Sequence, residues 1–213
     1  MNTDDWINQL ATNVQPVPRR VGEQRLGRAL TLGGLSSLAL LWWSYGPRPD
    51  LDSAMALPAF WAKLLLPMAV GLAAVPWVFH LLHPGAREGA GRWWSLTPVA
   101  GLWGWAAWVW WGTEPPLRMA LLWGTTWQVC VVSILVTAFP LAVALFWAAR
   151  GLAPTQPIRT GAAIGWTAGG LGAAVYALHC PEMAAPFLAV WYVLGMAACA
   201  AAGAVVGHKV LRW

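Results

Sequence analysis

Residues 125–149 read TTWQVCVVSILVTAFPLAVALFWAA, twenty-five positions without one Asp, Glu, Lys, Arg or His. As a helix this run is about 37 Å long, enough to cross a hydrocarbon layer of roughly 30 Å. A buried strand would need only 4–8 residues. The run is therefore read as a membrane span, and it sets the class of the whole chain. Five further apolar stretches lie around it, at 29–46, 58–82, 94–112, 161–179 and 186–207. Between them only short polar strips remain, so an all-α, polytopic bundle of six transmembrane helices is expected. Composition agrees: the 213 residues are 59% hydrophobic and 10% charged, against roughly 25% charged for a soluble domain.

Two domains are expected, a polar tail over 1–28 and a membrane domain over 29–213. The polar lead is too long for a cleavable signal peptide, so the first apolar run reads as a retained anchor. An even number of spans puts both termini on one side. If that side is the cytoplasm, the inner strips carry Arg19, Arg20, Arg25, Arg28, Arg87, Arg92, Arg150, Arg159, Lys209 and Arg212. The outer strips then carry Arg48, Lys63 and Arg118. Ten against three predicts an N-in, C-in topology. The net charge of +5 follows from the same bias and needs no nucleic-acid partner.

The eighteen tryptophans support these edges, because Trp42–Trp43, Trp93–Trp94 and Trp110–Trp111 fall where an amphipathic ring prefers the lipid–water boundary. Pro67, Pro76 and Pro140 interrupt two spans and predict kinks. Small residues recur every fourth position as Gly161, Gly165, Gly169 and as Gly195, Cys199, Gly203, Gly207. Such ridges allow close backbone approach, either within the bundle or between two copies in a homodimer. No Asp or Glu falls within a predicted span, which argues against a pump or small transporter. Neither HExxH nor GxSxG is present. His80 and His83 share the inner end of one span and read as interfacial.

Cys130 and Cys180 bracket the predicted inner loop 150–160, each 25 residues from Thr155. Equal distances along antiparallel helices place both sulfurs at one depth, facing the outer, oxidising side. Around the second the chain reads Leu178-His179-Cys180-Pro181-Glu182. Cys130, His179, Cys180 and Glu182 thus form a candidate ligand set for a soft or borderline metal, bound transiently and with no obligatory cofactor. A structural disulfide, or a thiol pair cycling through disulfide or sulfenate, fits the same residues. A thiol oxidoreductase would need a redox relay, and neither outer cysteine belongs to a CxxC. Cys199, on a glycine ridge, reads as a packing residue.

In the tail, Thr3 is a candidate N-cap with Asp4 and Asp5 in the first turn, where the helix dipole favours negative charge. Trp6, Ile7, Leu10 and Val14 then share one face of a helix over residues 3–15, and Pro16 and Pro18 end it. A helix this short is marginal alone. With acids and no base on its polar face it differs from a membrane-surface helix, so docking into a protein groove is expected.

The chain resembles the bacterial negative regulators of sigma F, six-span anti-sigma factors of the inner membrane. The resemblance rests on Met1-Asn2-Thr3-Asp4-Asp5-Trp6-Ile7, on Pro47-Arg48-Pro49-Asp50-Leu51 followed by Pro58-Ala59-Phe60-Trp61, and on Ala177-Leu178-His179-Cys180-Pro181-Glu182 running into Phe187-Leu188-Ala189-Val190-Trp191. The closing Leu211-Arg212-Trp213 completes it. It implies a non-enzymatic regulator whose tail sequesters an extracytoplasmic-function (ECF) sigma factor. It also implies that Cys130 and Cys180 take part in sensing metal or oxidative stress.

Overall fold

The computed structural model describes residues 2–12, 20–83 and 90–212. Met1, Val14, Pro16, Pro18, Arg19, Arg87 and Trp213, named above, lie outside them. Among the described residues there is no strand. The helices are α1 (Thr3–Thr12), α2 (Val21–Ser44), α3 (Leu51–Met55), α4 (Pro58–Leu81), α5 (Gly91–Gly112), α6 (Pro115–Trp123), α7 (Trp127–Arg150), α8 (Pro157–Tyr176), α9 (Ala185–Phe187) and α10 (Val193–Val210). A π-helical turn, Leu188–Tyr192, joins α9 to α10.

Each of the six apolar runs is one long helix or, for the last, a helix with a π turn. Three segments are long and apolar enough to cross a membrane: Pro58–Leu81, Pro115–Arg150 and Ala185–Val210. The other long helices are diluted by what they carry. Helix α2 begins with Glu23, Arg25 and Arg28, α5 holds seven tryptophans, and α8 is rich in glycine. The first long helix starts at Val21, so Arg25 and Arg28 lie in its opening turns.

Helix α8 is the axis of the bundle and packs against α10, α4 and α7; α2 lies along α7, and α5 along α4. The two small-residue ridges explain why α8 and α10 meet most closely. A Cβ on Gly161 would collide with the Gly203 carbonyl, and one on Gly165 with the Cys199 carbonyl. Of the two alternatives, the contact seen here is the one within the bundle: the two ridges seat on each other inside one chain. Thr137 adds a polar tie, its hydroxyl lying 3.0 Å from the Gly172 carbonyl on α8. Helix α2 seats Gly33 on Leu141 of α7, where an added Cβ would lie 2.8 Å from the Leu141 Cα.

The outward faces are apolar. Leu32, Leu35, Trp43, Leu72, Trp108, Phe139 and Trp147 are all exposed, while Lys63, Ser133, Thr137 and Thr167 are buried. Water would penalise so large an apolar exterior; hydrocarbon would not.

Helix α1 is capped differently from the expectation. Asn2, not Thr3, is the flanking residue, and its N–H donates to Asp5 Oδ2 at 3.3 Å, the reach-back half of a capping box. Asp5 can do this because it stands three positions into the helix. The helix is described to Thr12, where the Thr12 hydroxyl turns back to the Asn8 carbonyl at 2.7 Å.

Candidate functional site

Three connections meet at one end of the bundle: residues 45–57, 113–126 and 177–184. They are stitched together by backbone and side-chain hydrogen bonds. The Arg48 N–H donates to the Leu178 carbonyl at 3.1 Å. The Trp191 indole N–H donates to the Leu122 carbonyl at 2.9 Å. Trp123, Trp127 and Trp191 form an edge-on and tilted trio with ring centroids 4.9–5.5 Å apart.

Beneath this lid lie the two cysteines. Cys130 enters on the first turn of α7, and Cys180 follows the last turn of α8, its N–H bonded to the Tyr176 carbonyl at 3.0 Å. Both are free thiols and both are 0% exposed. Both belong to the buried core. Neither sulfur is open to the surrounding medium. The aromatic and turn residues of the three connections roof them over.

The metal set is corrected as well. His179 turns away, and because a carbonyl only accepts, its Nδ1–H must donate to the Gly46 carbonyl at 2.9 Å. Glu182 is equally engaged. Its Oε1 accepts from the Thr125 N–H and the Thr125 hydroxyl, both at 2.7 Å. Gly124 leaves room for that carboxylate: φ is 53° there, and a Cβ would lie 2.7 Å from the Glu182 carboxyl carbon. His179 and Glu182, neighbours of Cys180 in the chain, therefore direct their side chains to other connections. Among the described residues no three His, Cys, Asp or Glu side chains converge on a common point.

What does surround the thiols was not anticipated. Lys63, assigned above to an outer strip, is 1% exposed in α4, and its Nζ donates to the Cys180 carbonyl. Lys63, Tyr176 and Tyr192 are each within electrostatic reach of both thiols. The Tyr192 hydroxyl is buried without a partner of ordinary hydrogen-bond geometry; the π turn carries it inward. Thr126 approaches the Cys180 sulfur at 4.0 Å. One signal in the sequence could have found Lys63: it is the single Lys or Arg in the run 58–82, and such residues are functional by default.

At the rim, Arg48 grips Asp50 through two parallel bonds, Nε at 2.7 Å and Nη2 at 2.6 Å. The hydrogen bond to Asp50 raises the Arg48 guanidinium above its ordinary value. The same bond holds the Asp50 carboxyl below its ordinary 3.8.

At the other candidate site, the tail, α1 carries Trp6, Ile7 and Leu10 on one face, 54%, 57% and 67% exposed. Asp4 and Asp5 occupy its first turn.

A model of the negative regulator of sigma F family matches residues 10–213. The chain belongs to that family. The match takes in every element from α2 onward and begins within the last turn of α1. A probable anti-sigma-F factor, NrsF, from Azospira oryzae is 36% identical over 216 residues, covering 100% of each chain. The anti-sigma-F factor NrsF of Caulobacter vibrioides is 38% identical over 227 residues, again covering 100% of each. No solved structure matches the chain.

Proposed function

We propose that this protein is an inner-membrane anti-sigma factor that holds an ECF sigma factor on its cytoplasmic tail and releases it when Cys130 and Cys180 react. In this reading all six long helices span the membrane, both termini are cytoplasmic, and residues 29–213 form the sensing domain. Residues 1–28 bind the sigma factor through Asp4, Asp5, Trp6, Ile7, Leu10 and Val14.

The observation that carries the proposal is the apolar face of α1. Trp6, Ile7 and Leu10 are more than half exposed on a helix with no buried residue. A soluble partner with an apolar groove would cover them. Both relatives are named anti-sigma-F factors, which gives that partner its class. The thiol pair supports the sensing half, since the lid over it is built from the connections preceding α4, α7 and α10. A change at the sulfurs need shift the packing equilibrium by only about 1.4 kcal/mol to weaken sigma binding tenfold.

The full-length chain in lipid nanodiscs, used as bait against the cell's own soluble extract, should retain an ECF sigma factor. The same chain lacking residues 1–12 should retain none. Retention by the truncated chain would remove the tail from the mechanism.

A further inference from the structure

Helices α4, α5, α8 and α10 leave a groove of ≈ 380 Å³ between them, lined in part by Trp77, Leu96, Ala162 and Ala200. That lies within the roughly 300–1,000 Å³ of small-molecule sites. The space exists because Ala162 on α8 and Ala200 on α10 each project only a methyl group into it. Such walls suit an acyl chain, but Arg92 and Trp166 line the same groove. The Trp166 indole N–H is buried, and it has no acceptor among the described residues. At membrane depth no water is at hand to supply one. Arg92 lies over the Trp93 ring, 4.9 Å from its centroid, and the Ser95 hydroxyl donates to the Arg92 carbonyl at 2.8 Å. A ring meets a guanidinium through its π face, whereas an anion meets it through N–H donors, so one contact does not preclude the other. Packing also sets Arg92 and Trp166 at similar depth. An added Cβ on Gly91 would lie 2.9 Å from the Trp77 nitrogen, and one on Gly170 would lie 2.7 Å from the Gly71 nitrogen. Helices α4 and α8 are antiparallel in the six-span reading, so Trp166, four residues before Gly170, comes level with about Val75. Arg92, next to Gly91, is level with about Trp77. The two Cα atoms therefore differ in depth by less than one helical turn of about 5.4 Å.

We propose that this groove binds one anionic phospholipid, with the phosphate on Arg92, an ester carbonyl on the Trp166 N–H and an acyl chain over Leu96, Ala162 and Ala200. The inference goes beyond sigma binding and thiol sensing, and it rests on the six-span part of the reading above. In that reading Arg92 stands at the cytoplasmic end of α5. Basic pockets between helices on that side are where anionic headgroups are held. A zwitterionic lipid offers the same phosphate but brings an ammonium group, which the guanidinium repels. Selection among lipids therefore turns on Arg92. The Trp166 N–H meets an ester oxygen that both lipid classes share, so it adds affinity without selectivity. The apolar floor does the same.

The test uses the full-length chain in nanodiscs of phosphatidylglycerol and phosphatidylcholine in equal parts, with matched acyl chains. Native mass spectrometry of the released protein counts the lipids each chain retains. Wild type should keep one phosphatidylglycerol, favoured about tenfold over phosphatidylcholine, as a charge-assisted hydrogen bond predicts. Arg92→Gln should retain the two lipids equally, and Arg92→Lys should keep the preference. Trp166→Phe should lower retention of both lipids about fivefold, the worth of one neutral hydrogen bond, and leave their ratio unchanged. Ala200→Phe, which fills the groove without touching a charge, should lower both as well. Arg150→Gln removes a basic residue at the same end of the bundle but outside the groove, and it should match wild type. Equal retention of the two lipids by wild type would overturn the proposal. So would a preference that survives Arg92→Gln, or one that falls as far in Arg150→Gln, which marks a diffuse field and no site. A chain that stays soluble without lipid or detergent would overturn the six-span reading itself. A membrane-embedded chain without lipid preference would overturn this inference alone.

Discussion

Truncating Trp6 to alanine tests the tail most directly. Trp6 is 54% exposed on α1. A tryptophan presents up to about 250 Å², so roughly 130 Å² of this one is open to a partner. Covering that area at about 25 cal/mol per Å² is worth about 3 kcal/mol, or about a hundredfold in Kd. Trp6→Ala should therefore weaken sigma binding about a hundredfold while leaving the bundle untouched, because α1 buries nothing. Leu10→Ala, a smaller side chain that is 67% exposed, should cost about tenfold. The assay is fluorescence anisotropy of labelled sigma factor titrated with nanodisc-embedded protein, with near-ultraviolet circular dichroism confirming an unchanged bundle. A Trp6→Ala Kd within about threefold of wild type would falsify docking through this face.

Four further outcomes are expected. Replacing Cys130 and Cys180 together with serine should abolish sigma release by oxidant in a reporter strain, while leaving resting affinity within about twofold of wild type. Gly165→Leu would drive a side chain into the Cys199 carbonyl and should destabilise the bundle by about 3 kcal/mol or more, read by thermal unfolding in detergent. Thr137→Val, which removes one interhelical hydrogen bond, should cost only about 0.6–1.7 kcal/mol in the same assay. Because Arg48 lowers the Asp50 carboxyl, the pair's contribution is complete above the ordinary value of 3.8 and is lost as pH falls through the lower folded value. A carboxyl-carbon NMR titration should place the Asp50 midpoint below 3.8 and, in Arg48→Met, return it toward 3.8.

The six long helices were legible because uncharged runs of that length have few alternatives, and the apolar face of α1 because its spacing is helical. The packing of α7, which bears Cys130, on α8, which leads to Cys180, followed from the short loop between two apolar runs. What spacing could not deliver was direction. His179 and Glu182 flank Cys180 in the chain, yet each is claimed by a backbone or hydroxyl group from a different connection, Gly46 in one case and Thr125 in the other. Lys63 was misplaced for a related reason: a charge near the end of an apolar run looks interfacial until the neighbouring helix closes over it. The ridges were visible as ridges, but only the observed α8–α10 contact says that each is the other's partner. The cap at Asn2 shows the same limit, since Asn, Thr and Asp are all good caps and geometry chooses among them.

The close seating of Gly33 on Leu141 joins the helix that bears Cys130 to the helix that leads toward the tail. Rods held in register transmit angle more faithfully than distance. Helix α2 spans 24 residues, about 36 Å, so a tilt of about 5° imposed at one end carries the other sideways by about 3 Å. That is about one hydrogen-bond length, at the end of α2 nearest the tail.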